Sequence, residues 1–336
     1  MIMDARALKK IAGRFAGRKV VALGDYVADE FILGKASRIS REAPVLILQY
    51  DSRKVVLGGG GNAAHNLAAL GARVAPIGLV GDDETGRDVV GLLRQAGMDV
   101  SRMLVRRGYT TPTKTRIMAG GGGQHSFQQQ LIRVDRGEPG APSGEHEEAI
   151  LRALEDRLRD AEALVVSDYH YGSLTPRVIE GINDWAARGG RIITVDSRFR
   201  MLSFRGVTAV TPNEPEVEEA LGVRLDDRED RVRESAERIL REVGCRAVLV
   251  TRGSKGMALV ESGKKAEFIP VVGSDEIADV TGAGDTVIAI FTLALACGAG
   301  FLEAAQLANV GGGIVVMKRG TATVSPDELI GALDRS

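Results

Sequence analysis

The chain has 336 residues, 44% hydrophobic and 26% charged, with 44 basic side chains against 45 acidic ones and a formal net charge of −1. This balance excludes wholesale disorder and leaves no electrostatic footprint for nucleic acid or a membrane surface. Glycine is enriched at 42 residues, but it has no G-X-Y period and prolines number only 10, which excludes collagen-like and proline-rich linker chains.

The N-terminus lacks the apolar core of a signal peptide and opens on a short helix. Residues 19–24 (K-V-V-A-L-G) form a short apolar run ending in glycine, the composition of a buried strand. Residues 61–71 read as a helix stopped by Gly71, with a strand at 74–80. The pairing recurs: helix 145–159 and strand 163–167, then helix 176–188 with Pro176 at its start and strand 191–196. Residues 247–251 form another strand, and 224–242 carry charges at the spacing of a solvated amphipathic helix. Strands separated by helical patterns predict βαβ units, hence one α/β domain over 1–336 with a mostly parallel sheet. Two segments, about 31–57 and 104–135, are β-rich without a helix between. They predict a small, mainly antiparallel appended sheet, a lid, with the glycine loop 119–123 between two of its strands. The longest apolar stretch, 287–298, is too short to cross a bilayer, so a cytoplasmic protein is expected. Cys245 and Cys297 form no disulfide framework and read as buried thiols.

The sharpest constellation is Asp279-Val-Thr281-Gly282-Ala283-Gly284-Asp285-Thr, directly before the apolar run from Val287. Small residues at 282–284 let backbone N–H groups converge at a helix N-terminus, which suits an anion. A carboxylate at 285 would repel a phosphate unless it accepts the proton of a hydroxyl attacking one, with the glycine nest taking up developing charge. The alternative is an aspartate N-cap beside a glycine turn. A second glycine run, 58–61, precedes Asn62 and a helix; it is neither a P-loop nor G-x-G-x-x-G, and Gly59, Gly60 and Asn62 permit close approach to a small polar ligand. Lys114 and Arg116, two apart on a lid strand, face one side and with Arg133 suit a sugar phosphate; solvated edge-strand charges are the alternative. Asp25, Asp29 and Asp168 fall at strand ends or beside them, where α/β sheets bind ligands, and are expected to accept sugar hydroxyls.

Together, G-G-G-G-N-A-A-H-N-L-A-A-L-G and D-V-T-G-A-G-D-T, about 220 residues apart, resemble the two signatures of the ribokinase/PfkB sugar kinases. Thr211-Pro-Asn213-Glu-Pro-Glu216 resembles that family's N-x-x-E motif, and Thr251-Arg-Gly253-Ser-Lys-Gly256 its nucleotide-side turn. The resemblance implies a ribokinase-like three-layer sandwich, ATP, Mg²⁺ held through water near Asn213 and Glu216, and nucleotide contacts at Thr251, Gly253, Gly256 and Asn309. It also implies a monovalent cation, K⁺, beside Asp279 and Thr281. Further segments, among them 24–29, 37–45, 111–116, 129–135, 167–169 and 318–326, are similar to the heptose-7-phosphate kinase domain, which makes a 1,7-bisphosphate on the route to ADP-heptose. A stand-alone kinase is expected, since no nucleotidyltransferase follows Ser336, and a homodimer through the exposed lid edge. A kinase for ribose, fructose or another sugar phosphate, or a non-catalytic sensor on the same fold, are the alternatives. Two departures bear on the sugar. His170-Tyr171-Gly172 stands where heptose kinases usually have a small residue, Lys and Gly, and Asp196-Ser197-Arg198 stands where Asp-Pro-Lys is usual. The glycine-rich stretch 120–127 also looks like an insertion.

Overall fold

Strand β1 (Lys19–Gly24) sends Val20 and Ala22 into one apolar core and Val21 and Leu23 into another. Successive strand residues point to opposite faces, so a strand apolar on both must be covered on both. The computed structural model describes residues 5–120, 128–138, 144–272, 279–318 and 320–335. After α1 (Ala5–Ala12) and β1 come β2 (Tyr26–Ile39), β3 (Leu46–Gly59), α2 (Gly60–Ala69), β4 (Arg73–Gly81), α3 (Glu84–Gln95), β5 (Met103–Arg106), β6 (Thr113–Gly120) and β7 (Gln128–Arg136). The chain continues through α4 (Glu145–Leu158), β8 (Ala163–Asp168), α5 (Pro176–Arg188), β9 (Ile192–Ser197), β10 (Ala209–Val210), α6 (Glu214–Leu221) and α7 (Glu229–Val243). It closes with β11 (Ala247–Thr251), β12 (Met257–Glu261), β13 (Glu267–Ile269), α8 (Ala283–Ala296), α9 (Phe301–Val315) and α10 (Pro326–Leu333).

The larger sheet has the order β13-β12-β11-β10-β9-β8-β1-β4-β5. Its strands are parallel except β12, which pairs antiparallel with both β11 and β13 at one edge. Helices α1, α2, α3, α8, α9 and α10 supply the core on one face, and α4 to α7 the core on the other. The three-layer α/β sandwich is therefore as expected. Strand order reverses between β1 and β8, where such sheets open a crevice at their carboxyl ends.

The lid is the second sheet, ordered β3-β2-β6-β7. Its outer pairs are antiparallel, while β2 and β6 run parallel. One boundary needs correction. Residues 103–106 pair parallel with β4 as an edge of the large sheet, so the second lid segment starts at Thr113. Of the glycine loop 119–123, residues 121–123 lie outside the described residues, as do 124–127 of the stretch read as an insertion. The helix expected at 224–242 starts at Glu229, because Asp226 and Asp227 adopt left-handed φ of 47° and 61° in the turn before it. Lid and body join without slack: β3 ends at Gly59 and α2 begins at Gly60. No helix among the described residues is long and apolar enough to cross a membrane.

Candidate active site

Helix α8 is buried along most of its length, and its first turn carries Asp285. The residue before it, Gly282, has φ 79°, and a Cβ there would meet Asn62 Nδ2 at 2.4 Å, so only glycine lets the two signature segments touch. Asp285, 4% exposed, accepts from Asn62 Nδ2 at 2.9 Å on one oxygen and from the Tyr169 hydroxyl at 3.0 Å on the other. Asn62 is itself held, since Asn66 donates to its side-chain oxygen at 3.3 Å and the Thr286 hydroxyl donates to Asn66 at 3.2 Å. Burial pushes the Asp285 carboxyl up to about 7, opposed by the Asn62 and Tyr169 donors. That is the range in which a general base works at neutral pH. Of the expected anion nest, Gly282 and Gly284 line the cavity in front of Asp285, while the Ala283 N–H donates to the Val280 carbonyl at 3.3 Å.

This cavity, ≈ 330 Å³, is also lined by Tyr169, Asp196, Arg198, Thr211, Asn213, Glu216 and Thr251. Asn213 and Glu216 form a reciprocal cap on α6: Asn213 Oδ1 accepts from the Glu216 N–H and Glu216 Oε2 from the Asn213 N–H, both at 2.9 Å. The cap leaves the other Glu216 oxygen for the cavity. Asp196 is held well above the usual carboxylate range by burial and by Glu216, Asp285 and Asp168, and burial raises Glu216 too. Carboxylates that destabilise each other's charge invite a divalent cation. The Thr211 hydroxyl is buried with no partner among the described residues. Unspent acidic and hydroxyl groups beside a helix N-terminus fit a magnesium-bound triphosphate.

The lid reaches the site at Tyr169, over whose ring Lys114 stands. Asp29 and Lys114 pair in register, as do Arg116 with Arg133 and Lys114 with Asp135, which puts the three basic side chains on one face. Arg116 is bound to Asp29 at 2.6 Å, with both side chains largely buried. A Cβ at Gly58 would lie 2.4 Å from Asp29 Oδ2, so glycine there makes room for that carboxylate. Arg133 is bidentate to Asp135 at 2.6 and 2.7 Å. Lys114 makes no ion pair among the described residues; its ammonium sits 5.5 Å above the Tyr169 ring, and burial lowers its pKa.

Other expected site residues are engaged differently. Asp25 takes the backbone N–H groups of Tyr169, Tyr171 and Ser173 at 2.9 to 3.0 Å, so it holds the loop after β8 instead of presenting free oxygens. Asp168 is saturated by the Ser197 hydroxyl at 2.7 Å, by Arg200, and by the His170 N–H at 3.2 Å. It is a strut, not an open acceptor of sugar hydroxyls, because Arg200, a partner 32 residues on, takes its oxygens. Gly59 and Gly60 pack on the Asp25 carbonyl, to which Gly60 donates at 3.0 Å. Gly253 and Gly256 bound the turn joining β11 to β12. Asn309 donates to the Pro270 carbonyl at 2.7 Å, tying α9 to the chain after β13. Asp279 accepts the Thr281 N–H at 2.9 Å and the Gly320 N–H at 3.0 Å, which lowers its pKa. Of the two departures from the heptose-kinase pattern, the first packs beside the second: His170, at φ 66°, lies edge-on against Phe199, the residue after Arg198, with ring centres 6.0 Å apart. Arg198 lines the cavity. Sequence alone assigns no role to Tyr169, Asp196 or Thr211; the run Ser167-Asp168-Tyr169 at a strand end is the available signal.

A family model described as pfkB family carbohydrate kinase matches residues 18–328. Curated relatives named bifunctional protein HldE are similar over nearly the whole chain. That of Paramagnetospirillum magneticum is 40% identical over 99% of this chain and 66% of its own length. That of Trichlorobacter lovleyi is 36% identical over 98% and 66%. The chain thus spans just under two thirds of the length of these relatives. Among solved structures, Arabidopsis thaliana ribokinase complexed with ribose and ATP superposes with TM-score 0.72 at 19% identity, covering 96% of this chain and 100% of that one. Escherichia coli phosphofructokinase-2 in complex with potassium gives TM-score 0.72 at 21% identity, covering 95% and 99%.

Proposed function

The chain belongs to the PfkB family of carbohydrate kinases, and on that premise we propose that it transfers the γ-phosphoryl group of ATP to a sugar phosphate, D-glycero-β-D-manno-heptose 7-phosphate, at O1. The observation that carries the reading is Asp285: a buried carboxylate, pushed up to about 7, at the glycine-bounded N-terminus of α8 and facing an acidic cavity. Asp285 accepts the O1 proton as that oxygen bonds to the γ-phosphorus; the bond from phosphorus to the β–γ bridging oxygen breaks, and ADP leaves. Gly282 and Gly284 let the α8 N-terminus approach the transferred group and take up its charge. Asn213, Glu216 and Asp196 are the residues to hold Mg²⁺, which when bound neutralises phosphate charge. Asp279 and Thr281 are the pair to hold K⁺.

The heptose assignment is supported by likeness to the HldE relatives and by the lid. Lys114 is the lid cation left for the sugar's phosphate, with Arg133 beside it in the same face. Closure of the lid excludes water, which would otherwise compete as acceptor. A cytoplasmic homodimer completes the reading. Ile132 and Val134, 54% and 45% exposed, lie on the lid face opposite Arg133 and offer the apolar contact.

The test is ADP formation with Mg²⁺ and K⁺ across heptose 7-phosphate, sedoheptulose 7-phosphate, fructose 6-phosphate, ribose and fructose. Strongest turnover on the heptose is expected. Preference for a free sugar discards the phosphate clamp, and turnover on none discards the kinase.

A further inference from the structure

Tyr169 is bound at three points, each on a different part of the molecule. Its N–H donates to Asp25, just past β1, at 3.0 Å; its hydroxyl donates to Asp285 of α8 at 3.0 Å; and Lys114 of the lid strand β6 stands 5.5 Å above its ring centre. Asn62 already occupies the other Asp285 oxygen. With a donor on each oxygen, the carboxylate cannot rotate, and its remaining lone pairs are fixed relative to the cavity.

We propose that Tyr169 is a positioning residue for phosphoryl transfer, its hydroxyl orienting Asp285 and holding it in the charged, proton-accepting form. This rests on the kinase reading of the same site. The groups facing Asp285 are Asn62 from α2, Asp29 and Lys114 from the lid, Asp196 from β9, and Tyr169 itself, with Glu216 of α6 beyond Asp196. Among them Asn62 and Tyr169 donate hydrogen bonds to the carboxylate. Burial and the neighbouring Asp285 charge keep the Tyr169 hydroxyl protonated far into the alkaline range, so it remains a donor while Asp285 titrates.

In Tyr169→Phe, turnover on the best acceptor is followed from about pH 6 to about pH 9 beside the unaltered enzyme. Loss of the donor disfavours the charged carboxylate, so the acid limb is expected to move up by about one pH unit. The variant then loses roughly tenfold at the acid end and approaches normal turnover at the alkaline end. A merely structural tyrosine gives uniform loss at every pH, which overturns the proposal, as does an unmoved limb. A 3-fluorotyrosine placed at position 169 alone is a stronger donor and is expected to move the limb down, a readout that survives poor folding of the phenylalanine variant. The Asp285 carboxyl carbon, assigned by its absence from Asp285→Asn, reads the same shift by NMR without turnover. If the carboxyl shift appears while no acceptor is phosphorylated, the orienting contact stands and the kinase reading alone fails. If turnover is normal and the carboxyl does not shift, the contact falls and the kinase reading stands.

Discussion

Asn62 and Asp285 meet at 2.9 Å although 223 residues separate them in sequence. The contact makes the two glycine signatures one device: the first supplies the donor, the second the carboxylate, and Gly282 removes the side chain that would keep them apart. Asn62→Asp puts a second carboxylate at hydrogen-bond distance, and two carboxylates so placed share a proton. Turnover at neutral pH is expected to fall at least about 10²-fold. Activity within threefold of normal would show that Asn62 does not control the base.

Asp285 also links activity to stability. Its carboxyl is raised from the ordinary aspartate value of 3.8 to about 7 when folded. The folded state therefore binds the proton more tightly than the unfolded one, and stability is lost as pH rises between those values. Asp285→Asn removes this loss. The variant is expected to gain on the order of 1 kcal/mol or more in denaturant unfolding above about pH 7, to gain little at about pH 4, and to lose at least about 10²-fold in turnover. A gain equal at both pH values would contradict the linkage.

The Asp29–Arg116 pair is buried on the inner face of the lid, with side chains 6% and 13% exposed. Removing one partner strands the other charge, whereas removing both does not. Arg116→Met is expected to cost about 3 kcal/mol in urea unfolding, and Asp29→Leu with Arg116→Met clearly less. Additive losses in the double variant would mean that the two groups are solvated independently.

Glu216 caps α6, and the magnesium role proposed for it is separable from the cap by a single substitution. Glutamine preserves the oxygen that caps α6, since Gln serves in the same reciprocal cap, but it removes the charge. Glu216→Gln should unfold within about 0.5 kcal/mol of normal while the Mg²⁺ concentration for half-maximal turnover rises about tenfold. A magnesium titration that superposes on the unaltered enzyme's would confine Glu216 to the cap.

The architecture is legible where local patterns agree with tertiary fate. Val20 to Leu23 are apolar on both faces and lie in a sheet covered on both, and Thr175-Pro176 begins α5 with the hydroxyl cap that its order announces. Residues 104–106 read as part of the lid because so short a strand carries no mark of which sheet it joins; the pairing of Met103–Arg106 with β4 is a tertiary choice. The same limit applies in the site. Asp285 stands inside a glycine motif at a helix start and declares itself. Asp168 reads as a ligand acceptor because its strand-end position is visible, while Arg200 and Ser197, which consume its oxygens, announce nothing. Asn213-x-x-Glu216 carries two meanings at once, helix cap and phosphate neighbour, and the geometry realises the first while leaving one oxygen for the second.

The absence of any linker between β3 and α2 has a mechanical consequence. Gly59 ends one and Gly60 begins the other, and Asn62 follows within the first helical turn. A displacement of the lid strand is passed directly to the amide that grips Asp285, as a lever with no play passes its stroke to a latch. Lid strand and carboxylate are thus coupled through backbone alone, so a shift of the one carries the donor on the other.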